Sequence, residues 1–241
     1  MIPEMIPDVV RGHEVWLEHI THNRSDGKTL ECKLLFGHNM AVDGVADVTA
    51  AQAVLIDPRN VKHRLEIAAA DGGLIGTFTP TLEGNHIVAA EYDAGIYTVT
   101  EDGWHKGPKK DFINVKRSGY YYQYAKTIIA GHGAINPTPT IGQELEIINT
   151  GAGHYHAWDT VVLQVLYDGA ALSGGVVTAA VSGSKGNGID VAIGMDGMTS
   201  ITLDRPGNWM FKVRHADPRK GVEELYDEKV TTSVFTIMGV H

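Results

Sequence analysis

Hydrophobic and polar residues alternate with a period of two along much of this chain. In the segment TLECKLLF, residues 29–36, the side chains of Leu30, Cys32, Leu34 and Phe36 are apolar, and polar residues stand between the first three. The segments VVLQVLYDG and NWMFKVRH carry a similar strand-length pattern. A period of two places alternate side chains on opposite faces of a strand, so these segments are predicted to be half-buried β-strands.

Short turn motifs separate the predicted strands. SDGK, DPRN, LEGN, YDAG and RPGN combine Gly, Pro, Asn and Asp, the residues that favour tight turns. Long amphipathic segments of the kind that βαβ units require are missing from the sequence. Short strands punctuated in this way are typical of β-sandwiches, so we predict an all-β fold.

An internal repeat indicates two sandwiches in tandem. The segment beginning at Asp71 and the one beginning at Asp196 share an Asp-Gly turn, a short strand, a Gly-Asn turn and a second strand. We therefore predict two immunoglobulin-like or Greek-key β-sandwich domains, residues 13–118 and 142–241. Residues 119–141 lose the alternation and become rich in Tyr and then in Pro, Thr and Gly, which predicts a short irregular or helical connector.

Composition narrows the functions open to such a fold. The 241 residues carry a formal charge of −9 without long runs of one sign, which disfavours a nucleic-acid partner and favours cations. No stretch approaches the ~20 consecutive apolar residues of a membrane helix, so direct membrane insertion is not expected. The single cysteine, Cys32, excludes a thiolate zinc knuckle and an iron–sulfur cluster built from one chain, so any metal must use nitrogen and oxygen ligands.

Histidine is the main chemical clue, because the chain contains 12 of them and imidazole is the commonest transition-metal ligand. If the first two strands pair antiparallel, His13 at the start of one lies beside His38 at the end of the other. His38 follows a glycine at a strand end, and Asp43 is a nearby oxygen donor. The alternative is that His38 is a loop residue bonded to its own turn.

A second pair, His154 and His156, lies in the glycine-rich segment TGAGHYHAWD. In extended backbone, residues i and i+2 project to the same face, which allows two imidazoles to converge on one ion. The same spacing is equally compatible with an exposed polar turn. We therefore carry His13, His38, His154 and His156 as candidate metal ligands.

Catalytic motifs are missing, so we do not expect an enzyme. Neither G-x-S-x-G, H-E-x-x-H nor a P-loop occurs in the sequence. Cys32 alternates inward with its apolar neighbours, which favours a buried small hydrophobe over a nucleophile. A blue-copper site is also disfavoured, because it needs Cys, His and Met together on one late loop.

Several segments, in order, resemble a family. The segments that carry the resemblance are GHEVWLEHI, FGHNMAVDG, YYYQYAKTII, VLYDGAALSGGVV and RPGNWMFKV. Through them, the chain resembles a domain-of-unknown-function family linked to periplasmic components of cobalt and nickel transport systems, the nickel uptake accessory proteins. The resemblance implies an extracytoplasmic protein whose signal peptide has been removed, with a chain start near His13. It does not extend to the GHYHAW segment, so His154 and His156 rest on their spacing alone.

The leading hypothesis is a divalent metal-binding protein that captures nickel or cobalt, with zinc or copper as alternatives, and passes the ion to membrane transporter components. A second hypothesis is a non-metal adhesive or scaffolding module with a contact patch of Tyr120, Tyr121, Tyr122 and Tyr124. A third is a carbohydrate or small-molecule receptor that uses Trp104 and Trp158 as stacking faces. Metal binding by imidazole should fail at low pH, whereas a tyrosine patch should be indifferent to it.

Overall fold

The computed structural model describes residues 12–24, 27–131, 138–151, 154–184, 186 and 188–241. Within these ranges every regular element is a strand or a short 3-10 turn, which confirms the predicted all-β class. The 3-10 turns are Val48–Ala50, Lys109–Asp111 and Pro218–Lys220. Among the described residues, no helix has the length and apolar character needed to cross a membrane.

The strands form three sheets. An N-terminal sheet of five strands contains β1 (Glu14–Arg24), β2 (Gly27–His38), β3 (Ala41–Val42), β6 (Ala68–Ala70) and β7 (Gly73–Phe78). A central sheet of nine strands contains β4 (Ala51–Ile56), β5 (Lys62–Leu65), β8 (His86–Thr100), β9 (Gly103–Lys106), β10 (Arg117–Ile129), β14 (Val176–Val181), β15 (Ile189–Ala192), β17 (Gly207–Asp217) and β18 (Glu228–Val240). A C-terminal sheet of four strands contains β11 (Leu145–Asn149), β12 (Thr160–Tyr167), β13 (Ala170–Ala171) and β16 (Met198–Thr202).

The central sheet has matching halves. Its order is β15-β14-β17-β18-β10-β8-β4-β5. From the middle outward, the N-terminal half contributes β10, β8, β4 and β5, and the C-terminal half contributes β18, β17, β14 and β15 in the same relative order. The repeated segments found in the sequence both leave a small sheet and enter the central one, as β7 to β8 and as β16 to β17. Each half therefore contributes one small sheet and one half of the central sheet. The predicted boundaries, residues 13–118 and 142–241, stay a prediction.

The two small sheets pack on opposite faces of the central sheet. Residues paired directly across neighbouring strands share a face, which places Ala125 with Ala90 and Lys126 with Phe235. Ala125 and Ala90 belong to the core beneath the N-terminal sheet, whereas Phe235 belongs to the core beneath the C-terminal sheet. Cys32 is buried in the first of these cores, as its alternation with apolar neighbours predicts.

The prediction of an irregular or helical connector over residues 119–141 is wrong for residues 119–129. Residues Arg117–Ile129 form β10, which pairs antiparallel with β8 and parallel with β18 in the middle of the central sheet. The alternation is lost there because a strand covered on both faces is buried at nearly every position. Residues 132–137 of the expected connector lie outside the described residues.

A buried ion pair ties β10 to the C-terminal sheet. The Lys126 ammonium lies 2.8 Å from a carboxylate oxygen of Glu146, and both side chains are almost fully buried. The same carboxylate accepts hydrogen bonds from the backbone N–H groups of Ile141 and Gly142. Burial lowers the pKa of Lys126, and the charge of Glu146 opposes that shift.

Replacing Lys126 by Met should strongly destabilise the protein, because Glu146 would remain buried without its cation. We expect the free energy of unfolding in urea to fall by about 3–5 kcal/mol. A matched control is Lys33→Met, which removes a partly exposed ion pair to Glu31 at 3.6 Å. Its expected effect is within about 1 kcal/mol. Equal effects of the two substitutions would contradict a structural role for the buried pair.

Candidate metal centre

A tight hairpin at the end of β2 presents His38. The register pairs Gly37 with Val42 and His38 with Ala41, which leaves Asn39 and Met40 as the turn. Both turn residues have positive φ, 46° and 67°, as a two-residue hairpin turn that follows the strand twist requires. A Cβ on Gly37 would lie 2.1 Å from the Ala41 carbonyl oxygen, so the turn needs glycine at this position.

The antiparallel register of β1 and β2 brings His13 to the same place. Glu14 pairs with Gly37, so the residue before β1 stands beside the last residue of β2. The ring centroids of His13 and His38 are 3.7 Å apart, and the His13 ring stacks on Phe36. The predicted proximity of His13 and His38 is thereby confirmed.

Asp43 closes the group from the strand-end loop. One carboxylate oxygen lies 2.9 Å from His13 Nε2, and the other lies 2.8 Å from His38 Nδ1. One ligand atom from each of the three residues falls within 4.8 Å of the others, the spacing of a group that can hold one metal ion. The His13 side chain is buried, whereas those of His38 and Asp43 are 35% and 45% exposed, so the group opens to solvent on one side.

The carboxylate is held in its charged form. Burial raises the pKa of Asp43, but the hydrogen bond to His38 and the charges of both neighbouring imidazoles outweigh burial, and the pKa lies below its usual value. Without a metal, protons on the two imidazoles would neutralise the Asp43 carboxylate. A divalent cation can take the place of these protons. The site therefore combines two nitrogen donors with one anionic oxygen donor.

Residues from the central sheet hold the two histidines in place. The Gln123 amide donates to the His13 carbonyl at 2.9 Å and accepts from the Val15 N–H at 2.8 Å. Glu14, fully buried, accepts from the Asn39 N–H of the turn and pairs with Lys212 at 2.9 Å. Sequence reasoning missed these supports, although a lone glutamine inside the aromatic β10 segment is a visible signal.

The structure does not bring His154 and His156 into this group. Both imidazoles are exposed and flank Tyr155, which is buried and donates from its hydroxyl to Asn149. Among the described residues, neither histidine belongs to a cluster of three or more His, Cys, Asp or Glu ligand atoms. A ligand role for this pair stays a prediction.

Comparison with known proteins places the chain in a family. The model of the domain of unknown function DUF4198 matches residues 10–217, and the chain belongs to that family. No curated protein matches the chain. Among solved structures, it is similar to a two fibronectin type-III domain segment from chicken tenascin, with 9% identity, 90% of this chain and 96% of that chain covered, and a TM-score of 0.22. At that score the likeness carries no argument about function.

Replacing Gln123 by Leu should loosen His13 without touching a candidate ligand. The backbone groups of residues 13 and 15 would lose their buried partners, and we expect the free energy of unfolding to fall by about 1–3 kcal/mol. Imidazole ¹H–¹⁵N spectra should show changed signals for both His13 and His38. The exposed glutamine variant Gln52→Leu is the control and should leave both quantities unchanged. Unaltered imidazole signals in Gln123→Leu would contradict the positioning role.

Proposed function

We propose that this protein is an extracytoplasmic metal-binding protein that captures nickel or cobalt and delivers the ion to a membrane uptake system. The observation that carries the proposal is the His13, His38 and Asp43 group, with its ligand atoms within 4.8 Å of one another. The resemblance of several segments to cobalt and nickel transport components supports the transport role.

The donor set fits a borderline divalent ion. Imidazole suits zinc, copper, iron and nickel, whereas a carboxylate oxygen broadens the set towards harder ions. Three protein donors leave coordination positions open on a four- or six-coordinate ion, and the exposed side of Asp43 leaves room for water or an incoming ligand there. Open positions suit a carrier, because a receiving site can take hold of the ion before the carrier releases it.

Selectivity for nickel or cobalt must come from geometry and supply. Copper binds most nitrogen sites more tightly than either ion, so affinity alone would favour copper. The shared Asp43 carboxylate and the rigid Asn39–Met40 turn fix the directions of the donors. Preorganised donor directions are the means by which a protein discriminates between ions of similar affinity.

The adhesive alternative loses support at its contact patch. A contact patch requires exposed side chains, but Tyr121 and Tyr124 are only 6% and 7% exposed. Tyr120 and Tyr122 are half-buried, and their hydroxyls donate to Asp93 and Glu91 of the neighbouring strand. Burial on both faces of β10 accounts for the difference, since the segment is a central strand and not a surface strap.

Metal titration of the stripped protein tests the proposal directly. We expect nickel or cobalt to bind at about one ion per chain and a His13→Ala/His38→Ala variant to lose that binding, because two of three donors are removed. His63→Ala is the matched control, since His63 also contacts a carboxylate, that of Asp57 at 3.2 Å, outside the proposed site. Calorimetric binding that persists in the double variant would overturn the assignment. A His154→Ala/His156→Ala variant measures any contribution of the second pair.

Metal affinity should fall as the solution is acidified. A protonated imidazole has no lone pair for the ion, so binding releases protons and weakens below neutral pH. The depressed pKa of Asp43 keeps its carboxylate charged over that range, so the loss should follow histidine protonation alone. The measurement is calorimetry in buffers of different ionisation enthalpy between about pH 5 and 8. Affinity independent of pH would argue against imidazole ligands.

A further inference from the structure

A cleft opens where the two central strands separate. The parallel pairing of β10 with β18 ends at Thr127 and Thr236, although β10 continues to Ile129 and β18 to Val240. Between the diverging ends lies a cleft of about 160 Å³ that His19 of β1 and His154 of the C-terminal half both line. Residues from both halves of the chain thus meet around one small space.

Among the described residues, one ring nitrogen of His19 has no hydrogen-bond partner. This nitrogen, Nδ1, is buried. Burial lowers the pKa of His19. A buried polar nitrogen is normally satisfied, and a ligand held in the cleft would supply the missing interaction.

Two further donors line the same cleft. His154 lines the cleft and is exposed to solvent, on a segment anchored by the hydrogen bond from the Tyr155 hydroxyl to Asn149 at 2.8 Å. Met238 of β18 is half-buried and brings a thioether. His156, two residues further along the same segment, does not line the cleft. The structure therefore separates the two members of the His-x-His pair.

We propose that His19, His154 and Met238 form a copper site, separate from the His13, His38 and Asp43 group. Imidazole donors suit zinc, copper, iron and nickel, and thioether donors select copper(I), so copper is the ion that both donor types favour. The set contains no anionic oxygen, in contrast to the Asp43 group. An ion in the cleft would be held jointly by the N-terminal sheet, the central sheet and the loop before β12.

The test uses copper(I) itself on the whole chain. Metal-stripped protein is titrated with copper(I) under anaerobic, reducing conditions in competition with a chromogenic copper(I) chelator. We expect about one ion per chain to be retained, and His154→Ala and Met238→Leu each to weaken binding by at least about tenfold. X-ray absorption should show sulfur next to copper in the unaltered protein and none in Met238→Leu.

Two further variants distinguish copper(I) held in the cleft from copper(I) held by an exposed imidazole or by the Asp43 group. His156→Ala removes an exposed imidazole from the same segment as His154 and should bind copper(I) as the unaltered protein does. His13→Ala/His38→Ala should also retain the ion, so a failure of the nickel or cobalt proposal leaves this result unchanged. Circular dichroism of every variant checks that the fold is intact.

Three results would each overturn the copper site. The first is that the unaltered protein retains no copper(I) against the chelator. The second is unchanged affinity in both His154→Ala and Met238→Leu, because two of the three proposed donors would then be dispensable. The third is loss of copper(I) in His13→Ala/His38→Ala, which would move the ion to the Asp43 group.

Discussion

The parallel pairing of β10 with β18 is the interaction on which the rest of the structure depends. It runs from Gly119 and Glu228 to Thr127 and Thr236 and joins the strands of the N-terminal and C-terminal halves into one central sheet. Parallel ladders are slightly weaker per residue than antiparallel ones, and both strands must be covered on both faces. The two small sheets supply that cover from opposite sides. Each half therefore completes the burial of the other.

The candidate metal centre depends on the same junction. Its histidines belong to the N-terminal sheet, but Gln123 of β10 fixes the backbone beside His13, and Lys212 of β17 neutralises the buried Glu14. The turn residue Met40 tolerates its positive φ while its side chain packs in a small core with Trp16 and Met210. A turn of this kind on an isolated hairpin would lack these supports. The donor geometry is thus a property of the assembled chain.

Local pattern predicts the class of fold and one part of the site. Alternation identifies the strands whose one face is buried, and the antiparallel order of the first two strands suffices to place His13 beside His38. The same method fails at β10, because burial on both faces removes the period that it relies on. Local alternation also does not predict the hydrogen bonds of Gln123 and Lys126, because their partners lie 110 and 20 residues away in sequence. Long-range polar pairing inside a core leaves no local period to detect.

The chemistry of the two proposed sites gives a physical reason for keeping them apart. A protein that must handle nickel or cobalt in the presence of copper cannot rely on affinity, because the affinity order favours copper at nitrogen donors. The proposed cleft site has nitrogen and thioether donors, which suit copper(I) better than nickel or cobalt. The Asp43 group contains an anionic oxygen, which is a poor donor for a soft monovalent ion. The sites then differ in donor type and not only in strength.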